Sequence, residues 1–247
     1  MKNLKTYKMF ESSIELTPEQ VKWLDKCTSG TWQLNPQTGL VDVEGDFSCN
    51  MQGLSDFNGV RFGKVGGGFY CRNNQLTTLE GAPQKVGGDF NYHNNQLTTL
   101  EGAPREVGGH FVCNNNQLTT LEGAPQKVGL HFYCQSNQLT TLEGAPQEVG
   151  EDFVCHTNQL TSLEGSPQKI GGDFICYHNP VDNKTLKSIF GLMKKGKSYL
   201  ESIESLWSKI PVEDQTLLYR PEFEWVVGDE RKKLDALRAY QGFKGMI

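Results

Sequence analysis

A period of 21 residues in the middle of the sequence strongly limits the folds available to this chain. Phenylalanine recurs at this interval, and the surrounding text nearly repeats, as in VGGDFNYHNNQLTTLEGAPRE from residue 86. The repeated phenylalanines are Phe69, Phe90, Phe111, Phe132, Phe153 and Phe174. Phe47 begins a less regular unit 22 residues before Phe69. A fixed period of this length predicts a solenoid, in which each unit, called a rung below, packs on its neighbours.

Each part of the unit has a physical role in such a stack. Phe111 and Cys113 are two residues apart, so they point to the same side of a short strand, and strands of successive rungs should pair in parallel. The Ala-Pro pair that begins at Ala82 suits an extended segment on the opposite side, because proline lacks an N–H donor. An asparagine follows each strand, where its amide can bond unpaired backbone groups and form an internal ladder. These asparagines are Asn74, Asn95, Asn116, Asn137, Asn158 and Asn179.

On these residues the unit resembles the leucine-rich repeat, LxxLxLxxNxL, in its short bacterial form. With Asn116 at the ninth position, Phe111 is fourth, Cys113 sixth, Leu118 eleventh and Leu121 fourteenth. The resemblance covers about 138 of 247 residues and departs from the family where Phe and Cys replace Leu. It implies an arc with a parallel sheet on the concave face. The LTTLEGAP units also resemble bacteriophage-encoded leucine-rich-repeat proteins.

The fold class predicted from this pattern is a repeat solenoid, a leucine-rich-repeat arc with an extended convex side and helical caps at both ends. We expect an N-terminal helical cap over 1–31, because Thr17 and Pro18 form a helix start. A hairpin lead-in follows over 32–44, with NPQTG as its turn. About seven rungs then occupy 45–180, and apolar residues at helical spacing predict a C-terminal helical cap over 181–247.

Charge and composition limit the class of binding partner and the cellular compartment that we expect. Residues 43–180 carry 7 basic and 14 acidic side chains, which disfavours a nucleic-acid partner that would need clustered Lys and Arg. No apolar run approaches the length of a membrane span, so we expect a soluble, cytoplasmic protein. Six of the seven cysteines share one position of the repeat, which indicates packing in the reduced form.

The twentieth position of the repeat alternates in charge from rung to rung. It runs Lys85, Glu106, Lys127, Glu148 and Lys169. In a parallel stack this order places opposite charges beside each other on the convex side. We interpret the alternation as structural, since it disfavours a register slipped by one rung.

The outward positions of the concave sheet are the candidate partner-binding surface. They are the third, fifth, seventh and eighth positions of each rung, and they vary while the inward positions repeat. The fifth position is mostly apolar or aromatic, and aromatic side chains are frequent anchors of protein interfaces. Strand propensity alone is the alternative explanation for Val, Ile and Tyr there. The candidates are Tyr70, Arg72, His93, His110, Val112, His131, Tyr133, Val154, His156, Ile175 and Tyr177.

A row of histidine and aspartate at the third position suggests an alternative function. His110 and His131 occupy this position in neighbouring rungs, with Asp89 before them and Asp152 after them. Two imidazoles and a carboxylate suffice for an open zinc site, and such a metal activates water for hydrolysis. The competing interpretation is that histidine here offers only a polar, pH-sensitive contact.

The sequence otherwise lacks the motifs of an enzyme. The glycine pairs precede strands rather than helices, so they do not form a phosphate-binding loop. We therefore expect a non-enzymatic module that binds a protein of a bacterial host or a virus and needs no cofactor. A small-molecule ligand is not expected.

Overall fold

The structure, a computed structural model, describes residues 15–176 and 178–180 and the backbone of Val226–Val227. The described elements are one helix and a series of short strands. They are α1 (Pro18–Cys27), β1 (Trp32–Leu34), β2 (Leu40–Val43), β3 (Phe47–Ser48), β4 (Arg61–Val65), β5 (Phe69–Tyr70), β6 (Lys85–Val86), β7 (Phe90–Asn91), β8 (Glu106–Val107), β9 (Phe111–Val112), β10 (Lys127–Val128), β11 (Phe132–Tyr133), β12 (Glu148–Val149), β13 (Phe153–Val154), β14 (Lys169–Ile170), β15 (Phe174–Ile175) and β16 (Val226–Val227).

The strands form two sheets, and neighbouring strands in each sheet come from successive rungs. Sheet A consists of β3, β5, β7, β9, β11, β13 and β15 in parallel, with β16 antiparallel at its edge. Sheet B consists of β2, β4, β6, β8, β10, β12 and β14 in parallel, with β1 antiparallel to β2. Equivalent residues pair across the stack, as Phe111 does with Phe132. The chain is therefore a β-solenoid of about six turns with parallel sheets, as the period predicted.

The core is a column of phenylalanine rings beneath sheet A. Each ring at the fourth position is at most 1% exposed, and consecutive rings stack. The centroids of Phe111 and Phe132 lie 5.0 Å apart, and those of Phe132 and Phe153 lie 5.3 Å apart. The cysteine column at the sixth position is also buried, with Tyr92 in its place in one rung. The predicted inward direction of these two positions is confirmed.

The asparagine column bonds the backbone of two rungs at once. The Nδ2 of Asn116 donates to the carbonyl oxygen of Cys113 in its own rung at 3.0 Å and of Tyr92 in the preceding rung at 3.1 Å. Its Oδ1 accepts the backbone N–H of Leu97 at 2.9 Å. All six asparagines of this column are buried. The predicted internal ladder is therefore present and joins the rungs.

Sheet B lies on the side of the rung that follows the Ala-Pro pair, and no helix occurs in the described residues of this side. Its outward side chains are those of the twentieth position. Lys127 Nζ lies 3.4 Å from Glu148 Oε2, and Lys169 Nζ lies 3.2 Å from the same oxygen. Lys85 and Glu106 pair at 3.9 Å. The expected attraction between adjacent rungs is therefore observed, although each exposed pair contributes little to stability.

Close backbone contacts between adjacent rungs explain the repeated glycine after each sheet-B strand. A Cβ built on Gly129 would clash with the backbone carbonyl of Gly108 in the preceding rung, and the same holds for Gly150 against Gly129. The rungs pass too closely here for any side chain. This contact fixes glycine at the first position of the repeat.

The eighth position adopts a left-handed backbone conformation in every described rung. Its φ angles lie between 53° and 56°, a region that asparagine tolerates better than most residues. The residues are Met51, Asn73, Asn94, Asn115, Ser136, Thr157 and His178. Three asparagines satisfy this requirement, whereas Thr157 is β-branched and is strained here.

The N-terminal segment contacts the first phenylalanine of the stack. Thr17 is the N-cap of α1 and forms a capping box with Gln20. The Trp23 ring packs edge-on against Phe47 at 5.1 Å, and Leu24 is fully buried. The predicted C-terminal helical cap over 181–247 lies outside the described residues except for β16, which pairs with β15.

Candidate functional site

The outward face of sheet A carries the candidate residues. Phe132 and Cys134 are fully buried. His131, which precedes Phe132, and Tyr133, which lies between the two buried residues, are half-buried on the opposite side of the strand. This alternation confirms the assignment of inward and outward repeat positions on which the site prediction rests. Among the other candidates, Arg72 is exposed, and the following are half-buried: Tyr70, His93, His110, Val112, His156 and Ile175. Tyr177 lies outside the described residues.

Val154 does not offer the exposed surface that the sequence predicted. Only 5% of it is exposed, although it occupies the same outward position as Tyr133. Its neighbours in the sheet register are Tyr133 and Ile175, both larger than valine. Side chains on adjacent strands lie close enough to cover a smaller one between them. Val154 therefore packs between its larger neighbours and contributes little area for contact with a partner.

The third-position side chains form a hydrogen-bonded row along the stack. Asp89 Oδ1 accepts the backbone N–H of His110 at 2.9 Å, and His110 Nδ1 accepts that of His131 at 3.3 Å. His131 Nδ1 in turn accepts the N–H of Asp152 at 3.1 Å, and Asp152 Oδ1 accepts that of Asp173 at 2.8 Å. Each side chain thus binds a backbone donor of the next rung. Sequence reasoning did not anticipate this structural role.

Three aromatic rings of this face lie together, and we call His110, His131 and Tyr133 the aromatic patch. The imidazole centroids lie 4.9 Å apart with planes only 14° from parallel. The Tyr133 ring lies 5.5 Å from that of His131 and 6.2 Å from that of His110. Because both Nδ1 atoms accept backbone N–H groups, the neutral rings carry their proton on Nε2. The free donors of the patch are therefore the two Nε2–H groups and the Tyr133 hydroxyl.

His131 has two contacts that require opposite protonation states. Its Nδ1 accepts the Asp152 N–H only when the ring is neutral at that nitrogen. The same Nδ1 lies 3.1 Å from Asp152 Oδ2, to which a protonated ring would donate. The backbone N–H and the carboxylate of Asp152 thus both lie at the same nitrogen of His131.

The two described tyrosines of the face remain protonated. Tyr70 Oη donates to Asp89 Oδ2 at 3.3 Å. Burial, followed by the nearby Asp89 charge, raises the pKa of Tyr70, and burial with the Asp152 charge raises the pKa of Tyr133. Both side chains therefore present a neutral hydroxyl on an aromatic ring. This combination suits a protein interface, where one ring covers apolar area and its hydroxyl finds a polar partner.

The seventh position adds polar groups along one edge of the face. Burial and the neighbouring Arg72 charge lower the pKa of His93, which favours its neutral form. His93 Nδ1 lies 3.1 Å from Asn91 Oδ1, and His156 Nδ1 lies 2.9 Å from Thr157 Oγ1. Arg72 is the exposed cation of this edge, whereas the third position contributes four aspartates. The face as a whole is acidic and aromatic.

The predicted zinc candidates do not converge into a ligand set. Within residues 15–176 and 178–180, no group of three or more His, Cys, Asp or Glu side chains is placed to hold a metal ion. Asp89, His110, His131 and Asp152 follow one another along the row instead of surrounding a common point. The metal-binding alternative stays a prediction.

A groove of about 570 Å³ lies on another side of the solenoid. It is lined by the Thr-Leu-Glu-Gly-Ala turns of two rungs and by Leu40, Arg61, Phe62 and Arg105. None of its lining residues belongs to sheet A. The second threonine or serine of these turns accepts the N–H of the following glutamate, as Thr99 does from Glu101 at 3.1 Å. Most of this wall is therefore repeated turn structure.

Comparison with protein-family models, with curated proteins and with solved structures found no match. In the part of the chain that the structure describes, no helix has the length and apolar character needed to cross a membrane.

Proposed function

We propose that this chain is a non-enzymatic interaction protein that binds another protein through the outward face of sheet A. One observation carries the proposal: variation between rungs is concentrated on this face. The inward positions repeat Phe, Cys, Asn and Leu because packing and hydrogen bonding require them. At the outward fifth position, the same repeat carries Tyr70, Val112, Tyr133 and Ile175. The fold does not demand that variety, but recognition of a partner does.

The chemistry of the face suits a polypeptide partner. Tyr70 and Tyr133 supply aromatic rings with hydroxyl donors, and tyrosine is among the residues that contribute most to binding energy in protein interfaces. The two imidazoles of the aromatic patch add Nε2–H donors beside them. The third-position aspartates lie on either side of His110 and His131 along the stack and add negative charge, so a partner with exposed Lys or Arg side chains would be complementary. In a leucine-rich-repeat arc, as the sequence resemblance implies, this face is the concave one.

The resemblance to bacteriophage-encoded repeat proteins suggests where to seek the partner. Under the proposal the protein acts in the cytoplasm of a bacterial host and binds a host or viral protein. A role against host defence or in the takeover of the host cell extends the same proposal.

Affinity capture from bacterial lysate tests the face. The bait is the full chain, compared with a variant carrying Tyr70→Ala and Tyr133→Ala. We expect the variant to lose at least tenfold in capture, since each aromatic anchor of an interface contributes about 2 kcal/mol or more. The matched control carries Lys85→Ala and Glu106→Ala on sheet B and should capture as the wild type does. Equal capture by all three baits refutes this choice of face.

A metal-dependent hydrolase built on the histidine and aspartate row remains the alternative. Elemental analysis of the purified protein beside a His131→Ala variant distinguishes the two functions. Stoichiometric zinc that disappears in the variant supports the alternative, and a wild type without stoichiometric zinc removes it.

A further inference from the structure

Two cysteines at the N-terminal end of the cysteine column lie unusually close together. Cys49 and Cys71 occupy the sixth position of consecutive rungs, and their Sγ atoms are 2.8 Å apart. Both side chains are fully buried. A disulfide bond is about 2.05 Å long, so the two sulfurs need to approach by only about 0.8 Å to form one.

The strand pairing around these two cysteines is also compatible with a disulfide. Phe47 pairs with Phe69 and Ser48 with Tyr70, and the N–H of Cys49 donates to the Tyr70 carbonyl at 2.9 Å. Paired strands lie about 4.8 Å apart. That spacing falls within the range of about 4.4–6.8 Å that separates the Cα atoms of bonded cysteines. The strand spacing therefore permits a disulfide at this position.

Two later cysteines of the column show a different arrangement in the same register. The Sγ of Cys113 donates to the Tyr133 carbonyl at 3.4 Å, and the Sγ of Cys134 donates to the Val154 carbonyl at 3.4 Å. These thiols are directed to the backbone of the following rung rather than to each other. Cys113 and Cys134 thus form a natural comparison pair within the molecule.

Tyr92 separates the close pair from the remaining cysteines. It occupies the sixth position of the rung after Cys71, and its ring lies 4.4 Å from that of Phe90 and 6.0 Å from that of Phe69. The ring fills the place where a cysteine would continue the column. Cys71 therefore has a thiol neighbour on the Cys49 side only.

We propose that Cys49 and Cys71 are a site of oxidative modification, at which a peroxide converts the two thiols into a disulfide that joins the first two rungs. One thiol ionises, and its thiolate attacks hydrogen peroxide, so that an S–O bond forms as the O–O bond breaks. The hydroxide that leaves takes up the proton released by the thiol, and the products are a sulfenic acid and water. The second sulfur attacks the sulfenic sulfur, the S–S bond forms, the S–O bond breaks and a second water leaves. In total, two thiols and one hydrogen peroxide give one disulfide and two waters.

Access to the pair requires local opening of the solenoid end. Burial and the adjacent Cys49 thiol raise the pKa of Cys71 well above its ordinary value, which disfavours the reactive thiolate in the closed state. Cys27, whose Sγ accepts from Gln52 Nε2 at 3.3 Å, is near the same end and is 5% exposed. Cys27 could form a disulfide with Cys49 instead, so the experiment must distinguish the Cys27 and Cys71 crosslinks.

The test treats the full chain with hydrogen peroxide and maps its thiols after alkylation in denaturant. Trypsin cuts after Lys64 and Arg72 and isolates Cys71, and a second cut at Glu44 separates Cys27 from Cys49. We expect two of the seven thiols to be lost, in one crosslinked species that joins the Cys49 and Cys71 peptides. Dithiothreitol should restore both. The Cys113 and Cys134 peptides should remain alkylated.

Two variants accompany the wild type. Cys71→Ala should form no disulfide under the same treatment, whereas Cys134→Ala should form the Cys49–Cys71 crosslink as the wild type does. A crosslink between Cys27 and Cys49, a crosslink between Cys113 and Cys134, or no crosslink at all would each overturn the proposal. The map of the wild type alone decides between these outcomes, so the test does not depend on the folding of either variant.

Discussion

Replacement of a single buried asparagine should show how much the asparagine column contributes to the stability of the stacked rungs. Asn116 lies in the middle of the stack, and its amide bonds Leu97, Tyr92 and Cys113. In an Asn116→Ala variant the Leu97 N–H loses its acceptor. The two carbonyls each keep one amide donor, because Asn95 also donates to Tyr92 and Asn137 also donates to Cys113.

The expected loss in the free energy of unfolding follows from these hydrogen bonds. A buried donor without a partner costs about 1–3 kcal/mol, and each of two weakened carbonyls loses about 0.5–1 kcal/mol. We therefore expect the free energy of unfolding to fall by about 2–5 kcal/mol, which is a large part of the roughly 5–15 kcal/mol typical of a domain. The Asn116→Asp variant keeps nearly the same volume but removes both donors. It keeps an acceptor for the Leu97 N–H but places a carboxylate oxygen beside the carbonyls of Tyr92 and Cys113. It should therefore also be destabilised at neutral pH, although it leaves no cavity.

Urea denaturation followed by circular dichroism provides the measurement. The control is Gln117→Ala, because this neighbouring amide side chain is exposed. An exposed substitution of this kind should change stability by less than about 0.5 kcal/mol. If Asn116→Ala lost no more stability than Gln117→Ala, the asparagine column would not be a main connection between the rungs.

Three further predictions address other parts of the repeat. Thr157→Asn should raise the unfolding free energy by about 0.5–1 kcal/mol, since asparagine tolerates the left-handed backbone there; an unchanged or lower urea midpoint would contradict this. Gly129→Ala should destabilise by several times more than Leu130→Ala, because only the former clashes with a carbonyl; equal melting temperatures would count against the clash. Burial raises the pKa of the Cys134 thiol, so iodoacetamide at pH 8 should label it rapidly only in denaturant; rapid native labelling would disagree.

Much of the fold follows from the sequence because its determinants are local and repeated. Side-chain alternation alone places Phe111 and Cys113 inward, and six copies in register leave little freedom for a different frame. The asparagine ladder is predictable for the same reason, since Asn116 follows the strand at a fixed offset. The predicted charge alternation needs only parallel stacking, which the period already implies.

Features that depend on contacts between rungs are harder to predict from the sequence. The sequence predicts an extended segment opposite sheet A, but two-residue strands such as Lys127–Val128 have no periodicity of their own to reveal a second sheet. Burial of Val154 depends on the size of Tyr133 and Ile175 in adjacent rungs. The left-handed eighth position did carry a signal, namely the repeated asparagine at Asn73, Asn94 and Asn115.

The third-position row shows how a structural role and a binding role can coincide in one residue. His131 uses Nδ1 to accept the N–H of Asp152, and this leaves Nε2–H as its free donor toward a partner. His131→Asn supplies a carbonyl oxygen comparable to the Asp89 Oδ1 that performs the same task two rungs earlier, so the backbone contact should survive. His131→Val removes both the acceptor and the imidazole. If the aromatic patch binds a partner, both variants should lose affinity, whereas only His131→Val should lose stability in urea. Affinity that fell only in His131→Val would assign this residue to the solenoid alone and leave recognition to the fifth and seventh positions.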